Sequence, residues 1–479
     1  MVKNSLFRII IAFLILCSGI YILELDAIET SGNIEGIWRG GIEIPGEEAP
    51  DVIFQIYQNA DGVLKAVVVS PDQIHRLPVD SVIVKKDSVH MVLKSISGVF
   101  KGKLKTDIMT IEGTWSQAGQ SFPLILKQIE EIPGAGRPQE PEKPYPYVEE
   151  EVIYENKQAG VKLAGTLTYP TAEGLYPAVL LVSGSGPIDR NDMAFGHQPF
   201  FVLADYLTRQ GIAVLRYDKR GVWKSTGDFS HATTEDFSND ALAGINYLKN
   251  RVEINSKTIG IIGHSEGAMI AAMLAAQSSD IAFIVIMAGP GIELNKAKSE
   301  QKCLYARAEG LSDENIPILN SWYENFYYIA KTEKDNVIAE KKIREQYKKL
   351  TEEEKQVINW SEEKLTDEIN LVLSPWWRYL LNYEPKSFLT KVKCSVLAIN
   401  GEKDLQVAPK ENLQGIEEAL KEGGNENYTI MELKGLNHVF QSALTGAESE
   451  YAMIDETLAP VALKTISEWI KKQINIENK

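Results

Sequence analysis

At 479 residues the chain is longer than one hydrophobic core usually organises, so two or three domains are expected. Its 44% hydrophobic and 24% charged residues exclude a disordered or fibrous chain, and a net charge of −16 excludes nucleic acid as the natural partner. Three cysteines without a C-x-x-C or Cys/His cluster give a zinc site no support.

In chain order, Lys3 and Arg8 precede an apolar run over 9–16 that continues weakly to Leu23. Residues 1–29 therefore read as a signal peptide or an N-terminal anchor, and the protein is expected to be exported: periplasmic, extracellular or membrane-anchored. Cys17 suggests a lipoprotein site, although Leu16 is bulky where a small residue should precede a modified cysteine. The run is short for crossing about 30 Å of hydrocarbon, and no later segment is long and apolar enough, so any membrane attachment is expected through the N-terminus alone. Cys303 and Cys394 are expected as buried free thiols.

Residues 33–128 carry short alternating runs at 52–57, 64–69, 82–84 and 124–126, punctuated by turn signals at Asp61-Gly62 and Lys86-Asp87. The expectation is a small all-β barrel or sandwich. Trp38 and Trp115 would pack one strand face or, alternatively, line a ligand pocket. His75 and His90 stand alone, which favours surface or structural roles. Residues 129–148 hold Pro133, Pro138, Pro141, Pro144 and Pro146 with Gly134 and Gly136, a composition that resists helix and ladder alike and reads as a linker.

From 149 to 479 strands alternate with helices. The expected strands are 161–168, 178–182, 213–217, 258–262, 283–287, 395–400 and 428–433; the expected helices are 200–210, 234–250, 267–277 and 460–472. This is the pattern of a mostly parallel sheet covered on both faces. A long, charged, helical stretch at about 293–385 interrupts it as an inserted cap. Within the cap, 350–364 is expected to be solvated, and Trp376, Trp377, Tyr379 and Tyr383 either wall a substrate pocket or pack the cap on the main domain.

The chemistry concentrates at Gly263-His264-Ser265-Glu266-Gly267, directly after an apolar strand and before a helix-forming run. This is the G-x-S-x-G nucleophile elbow in the strand-turn-helix setting it requires. Serine needs a base, and of the six histidines only His438 follows Ser265, just after the last expected strand. His264 is expected as a packing residue. Asp404, after the strand at 395–400, is the expected acid that orients the imidazole, with Glu402 as its rival. The order Ser265, Asp404, His438 is the one this fold uses. The oxyanion hole is expected from the backbone N–H of Glu266 and of Ser185, the latter in the turn Ser183-Gly184-Ser185-Gly186-Pro187. Asp189, Arg190, Asp218, Arg220 and Gly221 lie nearby, where ion pairs fixing the loops are the expectation.

Residues 148–479 resemble the α/β-hydrolase family of bacterial exported esterases, related to serine aminopeptidase-like and acyl-CoA thioesterase-like hydrolases. The likeness is carried by Gly184-Ser185-Gly186-Pro187 with Asp189-Arg190, Asp218-Lys219-Arg220-Gly221, Gly263-His264-Ser265-Glu266-Gly267, Gly401-Glu402-Lys403-Asp404 and Asn437-His438-Val439-Phe440-Gln441. It implies an α/β-hydrolase fold with a helical cap behind a β-rich N-terminal domain, and cleavage of a small-molecule carboxylic ester without metal or cofactor. Trp223 departs from the glycine that such proteins often carry after the Asp-Lys-Arg-Gly turn. The leading expectation is a carboxylesterase for small or medium acyl groups. A peptidase, aminopeptidase or thioesterase would use the same three residues, and an inert protein binding glycan or lipid is the alternative of another class.

Overall fold

The computed structural model describes residues 34–43, 51–69, 76–130 and 137–474. The segment read as an export signal or anchor, with Cys17, lies outside them, as do His75 and residues 131–136 of the linker. The chain divides into two compact units, the first ending at Gly136 and joined by Ala194–Gly196, the second comprising Arg137–Met193 and the chain from His197 onward.

The first unit is a single antiparallel sheet of β1 (Gly36–Gly41), β2 (Asp51–Gln58), β3 (Leu64–Val69), β4 (Arg76–Pro78), β5 (Ser81–Lys85), β6 (Ser88–Leu93), β7 (Gly98–Lys105), β8 (Thr110–Gln117) and β9 (Gln120–Ile129). The strand order is β4-β3-β2-β1-β9-β8-β7-β6-β5. Alternation along each strand turns Phe54, Ile56, Val89, Met91, Phe100, Leu124 and Leu126 into one core. Between the two ends of the ladder, Val79 N donates to Ala66 O at 2.9 Å and Asp80 N to Val92 O at 2.8 Å. The sheet therefore curls into a barrel-like unit rather than splitting into two packed sheets. Trp38 and Trp115 are buried in its core, and the Trp38 indole donates to Ile34 O at 2.8 Å, which makes them packing residues.

The second unit is built on β10 (Tyr147–Asn156), β11 (Val161–Pro170), β12 (Tyr176–Val182), β13 (Ala213–Tyr217), β14 (Ile254–His264), β15 (Phe283–Met287), β16 (Ser395–Gly401) and β17 (Tyr428–Leu433). Their order is β10-β11-β13-β12-β14-β15-β16-β17. The β10/β11 and β11/β13 pairs are antiparallel and all the others parallel, the arrangement of the α/β-hydrolase fold. Every residue of β13 and β15 is buried, as expected of strands covered on both faces. The covering helices are α1 (Pro199–Arg209), α2 (Thr234–Lys249) and α3 (Glu266–Gln277), then, beyond the cap, α11 (Pro409–Glu422), α12 (Glu448–Tyr451) and α13 (Pro460–Gln473). One apolar core lies on each face of the sheet.

The cap, between β15 and β16, consists of α4 (Leu294–Ala308), α5 (Ile316–Thr332), α6 (Asn336–Lys349), α7 (Glu352–Ile358), α8 (Glu362–Val372), α9 (Pro375–Asn382) and α10 (Pro385–Leu389). It has its own core, in which Trp322 meets Trp360 edge to face at 5.4 Å. The stretch 350–364 is solvated as expected except at Ile358 and Trp360, which are buried because the apolar residues of this charged stretch turn inward together. Cys303 and Cys394 are free thiols, the first buried and the second half-buried.

Candidate active site

The elbow is the end of β14 and the start of α3. Apolar Ile259, Ile261 and Ile262 hold β14 in the sheet centre, and the alanine-rich sequence after Gly267 forms the buried α3. The turn between them is so tight that a Cβ on Gly263 would overlap the Gly267 carbonyl, and one on Gly267 would overlap the Val182 carbonyl. Ser265 sits at φ 54°, ψ −113°, and its N–H donates to Met287 O of β15 at 2.9 Å. A serine in the left-handed region is strained, and the neighbouring strand and helix hold it there. As N-cap of α3 it makes no side-chain capping bond, so its Oγ is uncommitted.

Asp404 follows β16 and His438 follows β17. His438 Nδ1 lies 2.8 Å from Asp404 Oδ2, and both side chains are almost wholly buried. The other oxygen, Oδ1, accepts from Gln406 N at 2.7 Å and Val407 N at 2.9 Å, which fixes the orientation of the carboxylate. The rival, Glu402, is turned away and accepts from Gly435 N at 2.8 Å. Among the described residues neither His438 Nε2 nor Ser265 Oγ makes a hydrogen bond, and such contacts often tighten only around substrate.

His264 joins the two loops. Its Nε2 donates to the His438 carbonyl at 3.0 Å, and the two rings are 4.8 Å apart. Burial, and then the charge of His438, push its pKa down to about 3, so it is a neutral imidazole acting as a hydrogen-bond donor. The expectation of mere packing missed this role. Asp192, buried with Oδ2 at 3.8 Å from His264 Nδ1, is pushed up to about 7 by burial, against the pull of Lys219.

The glycine turn abuts Ser265: a Cβ on Gly184 would stand 3.4 Å from Ser265 Cβ. Ser185 is the exposed residue that follows. Beneath the turn, the buried Lys219 donates to Gly184 O at 2.5 Å and to Glu266 Oε2 at 3.1 Å. Glu266 Oε1 accepts from Thr234 Oγ1 at 2.7 Å and from the Trp376 indole of the cap at 2.8 Å. One buried carboxylate thus ties the elbow, the glycine turn, α2 and the cap together. The aromatic cluster divides accordingly. Trp376 reaches the elbow, Trp377 stacks on Tyr327 of the cap at 5.8 Å, and Tyr383 stacks on Phe388 at 5.2 Å.

The expected ion pairs are present. Arg190 pairs with Asp218 at 2.7 Å and Glu151 at 2.9 Å; Arg220 pairs with Asp240 at 2.6 Å. Trp223 has φ 48°, a conformation that favours glycine, which accounts for the glycine expected there. Among the described residues no group of three or more His, Cys, Asp or Glu side chains converges as metal ligands.

The model of the X-Pro dipeptidyl-peptidase (S15) family matches residues 137–434, more than half of the chain. The chain belongs to that hydrolase family. Esterase EstD of Thermotoga maritima is 28% identical over 336 residues, covering 70% of this chain and 69% of its own. Among solved structures, an esterase of Pyrococcus furiosus is 18% identical, with a TM-score of 0.41 over 68% of this chain and 91% of its own. Est1E of Butyrivibrio proteoclasticus with bound ferulic acid is 17% identical, with a TM-score of 0.40 over 68% of this chain and 99% of its own.

Proposed function

We propose that this S15-family hydrolase cleaves carboxylic esters of small or medium acyl groups, with Ser265 as nucleophile, His438 as general base and Asp404 as the orienting acid. The observation that carries the reading is the buried His438–Asp404 pair at 2.8 Å, next to an elbow that strains Ser265 and leaves its hydroxyl uncommitted. In the first step Oγ attacks the ester carbonyl while its proton passes to His438 Nε2. The oxyanion is received by the N–H groups of Glu266 and Ser185; the α3 N-terminus adds its dipole. Collapse breaks the bond to the alcohol, which leaves with the proton from His438. Water, deprotonated by the same imidazole, then releases the acid and restores Ser265. The likeness to an esterase of Thermotoga maritima supports the choice of ester.

The family's description favours a second reading, release of dipeptides from a free N-terminus by the same residues. Purified protein assayed on 4-nitrophenyl esters, acyl-CoA thioesters and aminoacyl-prolyl amides separates these readings. Ester turnover well above the other two is expected; amide cleavage alone would reject the ester reading. We also propose export through the segment at 1–29, which cell fractionation tests. Recovery of the protein in the cytoplasm alone would reject it.

A further inference from the structure

Helix α4 carries two half-buried lysines, Lys298 and Lys302, one turn apart. Like charges at this spacing repel on a helix, and burial raises the cost. Among the described residues neither has a carboxylate partner. Lys298 Nζ donates to Gln301 Oε1 at 3.0 Å and lies 5.9 Å from the Trp377 ring; Lys302 Nζ lies 5.6 Å from the Tyr323 ring. Several more exposed cap lysines do have a carboxylate partner, among them Lys296 with Glu293, Lys342 with Glu333 and Lys355 with Glu352, as does the half-buried Lys331 with Glu293.

Lys298 borders the candidate active site. Lys298 interacts electrostatically with both Asp404 and Glu266, and Tyr305, two turns along the same face, also senses Asp404. Trp377, under Lys298, meets Trp376 at 5.4 Å, and Trp376 bonds to Glu266. Lys298 is thereby linked to the elbow through Trp377, Trp376 and Glu266, and Lys302 lies one turn further along the same helix. Burial first, and Lys302 next, push the Lys298 ammonium down to about 8, with Glu266 and Asp404 pulling the other way. Lys298 is thus still mostly charged at neutral pH, and it is destabilised in a way that a bound anion would relieve.

Resting on the ester reading, we propose that Lys298 and Lys302 bind a carboxylate on the substrate, so that the enzyme prefers esters carrying an acidic group over neutral ones and disfavours substrates with a free ammonium. A dipeptidyl-peptidase must accommodate a substrate ammonium, and these two cations oppose it. The site is therefore adapted to the opposite charge.

The test compares kcat/KM for 4-nitrophenyl hydrogen glutarate, the neutral 4-nitrophenyl butyrate and alanyl-proline 4-nitroanilide. Fluorophosphonate titration counts the folded active sites in each preparation. In the wild type the glutarate-to-butyrate ratio is expected to exceed about ten and to fall several-fold from 20 to 500 mM NaCl, since salt screens such attraction. In Lys298→Met/Lys302→Met the ratio is expected to drop about ten-fold, whereas Lys298→Arg retains most of it. A ratio unmoved by salt and by both substitutions would overturn the inference while leaving the ester reading intact. Turnover of the anilide with neither ester cleaved would overturn both.

Discussion

The imidazole N–H of His264 donates to the main-chain carbonyl of His438 at 3.0 Å, so the residue before the expected nucleophile grips the backbone of the expected base. The loops that carry Ser265 and His438 are thereby tied together by a bond between residues 174 positions apart in sequence. Removing a buried donor leaves that carbonyl unsatisfied, which costs about 1–3 kcal/mol. His264→Ala is therefore expected to slow ester turnover about ten-fold or more, with kcat falling and KM little changed. Steady-state kinetics on 4-nitrophenyl butyrate check it; an unchanged kcat would mean that the bond has no positioning role.

Asp404 is expected to matter through the tautomer that it imposes on His438. Asp404→Asn should retain the fold and lower kcat by about 10⁴, because an amide can donate to Nδ1 and leave Nε2 carrying the proton. Glu402→Gln should stay within a few-fold of wild type, since that side chain serves only the Gly435 N–H. Reversal of the two outcomes would make Glu402 the acid.

Lys219 and Glu266 are a buried pair, and removing one partner of such a pair typically costs about 3–5 kcal/mol. Lys219→Met should therefore destabilise the second unit strongly. Lys219→Met/Glu266→Gln should lose much less than the sum of the single variants, because no lone charge stays buried. Denaturant unfolding of the four proteins checks this. Released from Lys219, the Gly184 carbonyl would also shift the oxyanion turn, so kcat should stay low in the double variant although its stability recovers.

The pH dependence of stability follows from two neighbouring groups with opposite signs. Asp192, raised from 3.8 to about 7, holds its proton in the fold, so its contribution is fully present below pH 4 and is lost as pH rises to about 7. His264, lowered from 6.5 to about 3, is neutral in the fold, so its contribution is present above pH 6.5 and is lost as pH falls towards 3. Asp192→Asn should accordingly be more stable than wild type at pH 8, by on the order of 2 kcal/mol, and nearly equal to it at pH 4. Thermal unfolding at the two pH values tests the sign. An Asn variant that gains nothing at pH 8 relative to pH 4 would contradict it.

The sheet was legible wherever a strand is a short apolar or alternating run bounded by loops. Ala213–Tyr217, Phe283–Met287 and Tyr428–Leu433 have the ends read from the sequence, because their short apolar or alternating runs stop abruptly at loops. Strand β10 was hidden within and just after the proline-rich linker, since an edge strand that reads Glu149-Glu150-Glu151 lacks the apolar signal of its neighbours. Helix α11 was missed because Gly415 and its charged residues blur the periodicity. At the site, the elbow was legible as a local motif, as was the order of the acid and histidine loops. The Lys219–Glu266–Trp376 link was not, since its bonds join residues 47 and 110 positions apart and no local pattern encodes them. A lysine two residues after the all-buried β13 was the one hint, as an ammonium there must find a buried partner.

The central claim is that Ser265 is a nucleophile activated by His438. Reaction of the folded protein with a fluorophosphonate, followed by mass spectrometry of its peptides, tests this most directly. A single adduct on Ser265 is expected, abolished in Ser265→Ala and slowed by several orders of magnitude in His438→Ala. Intact protein that takes up no label, or that labels at another serine and keeps full ester turnover in Ser265→Ala, would contradict it.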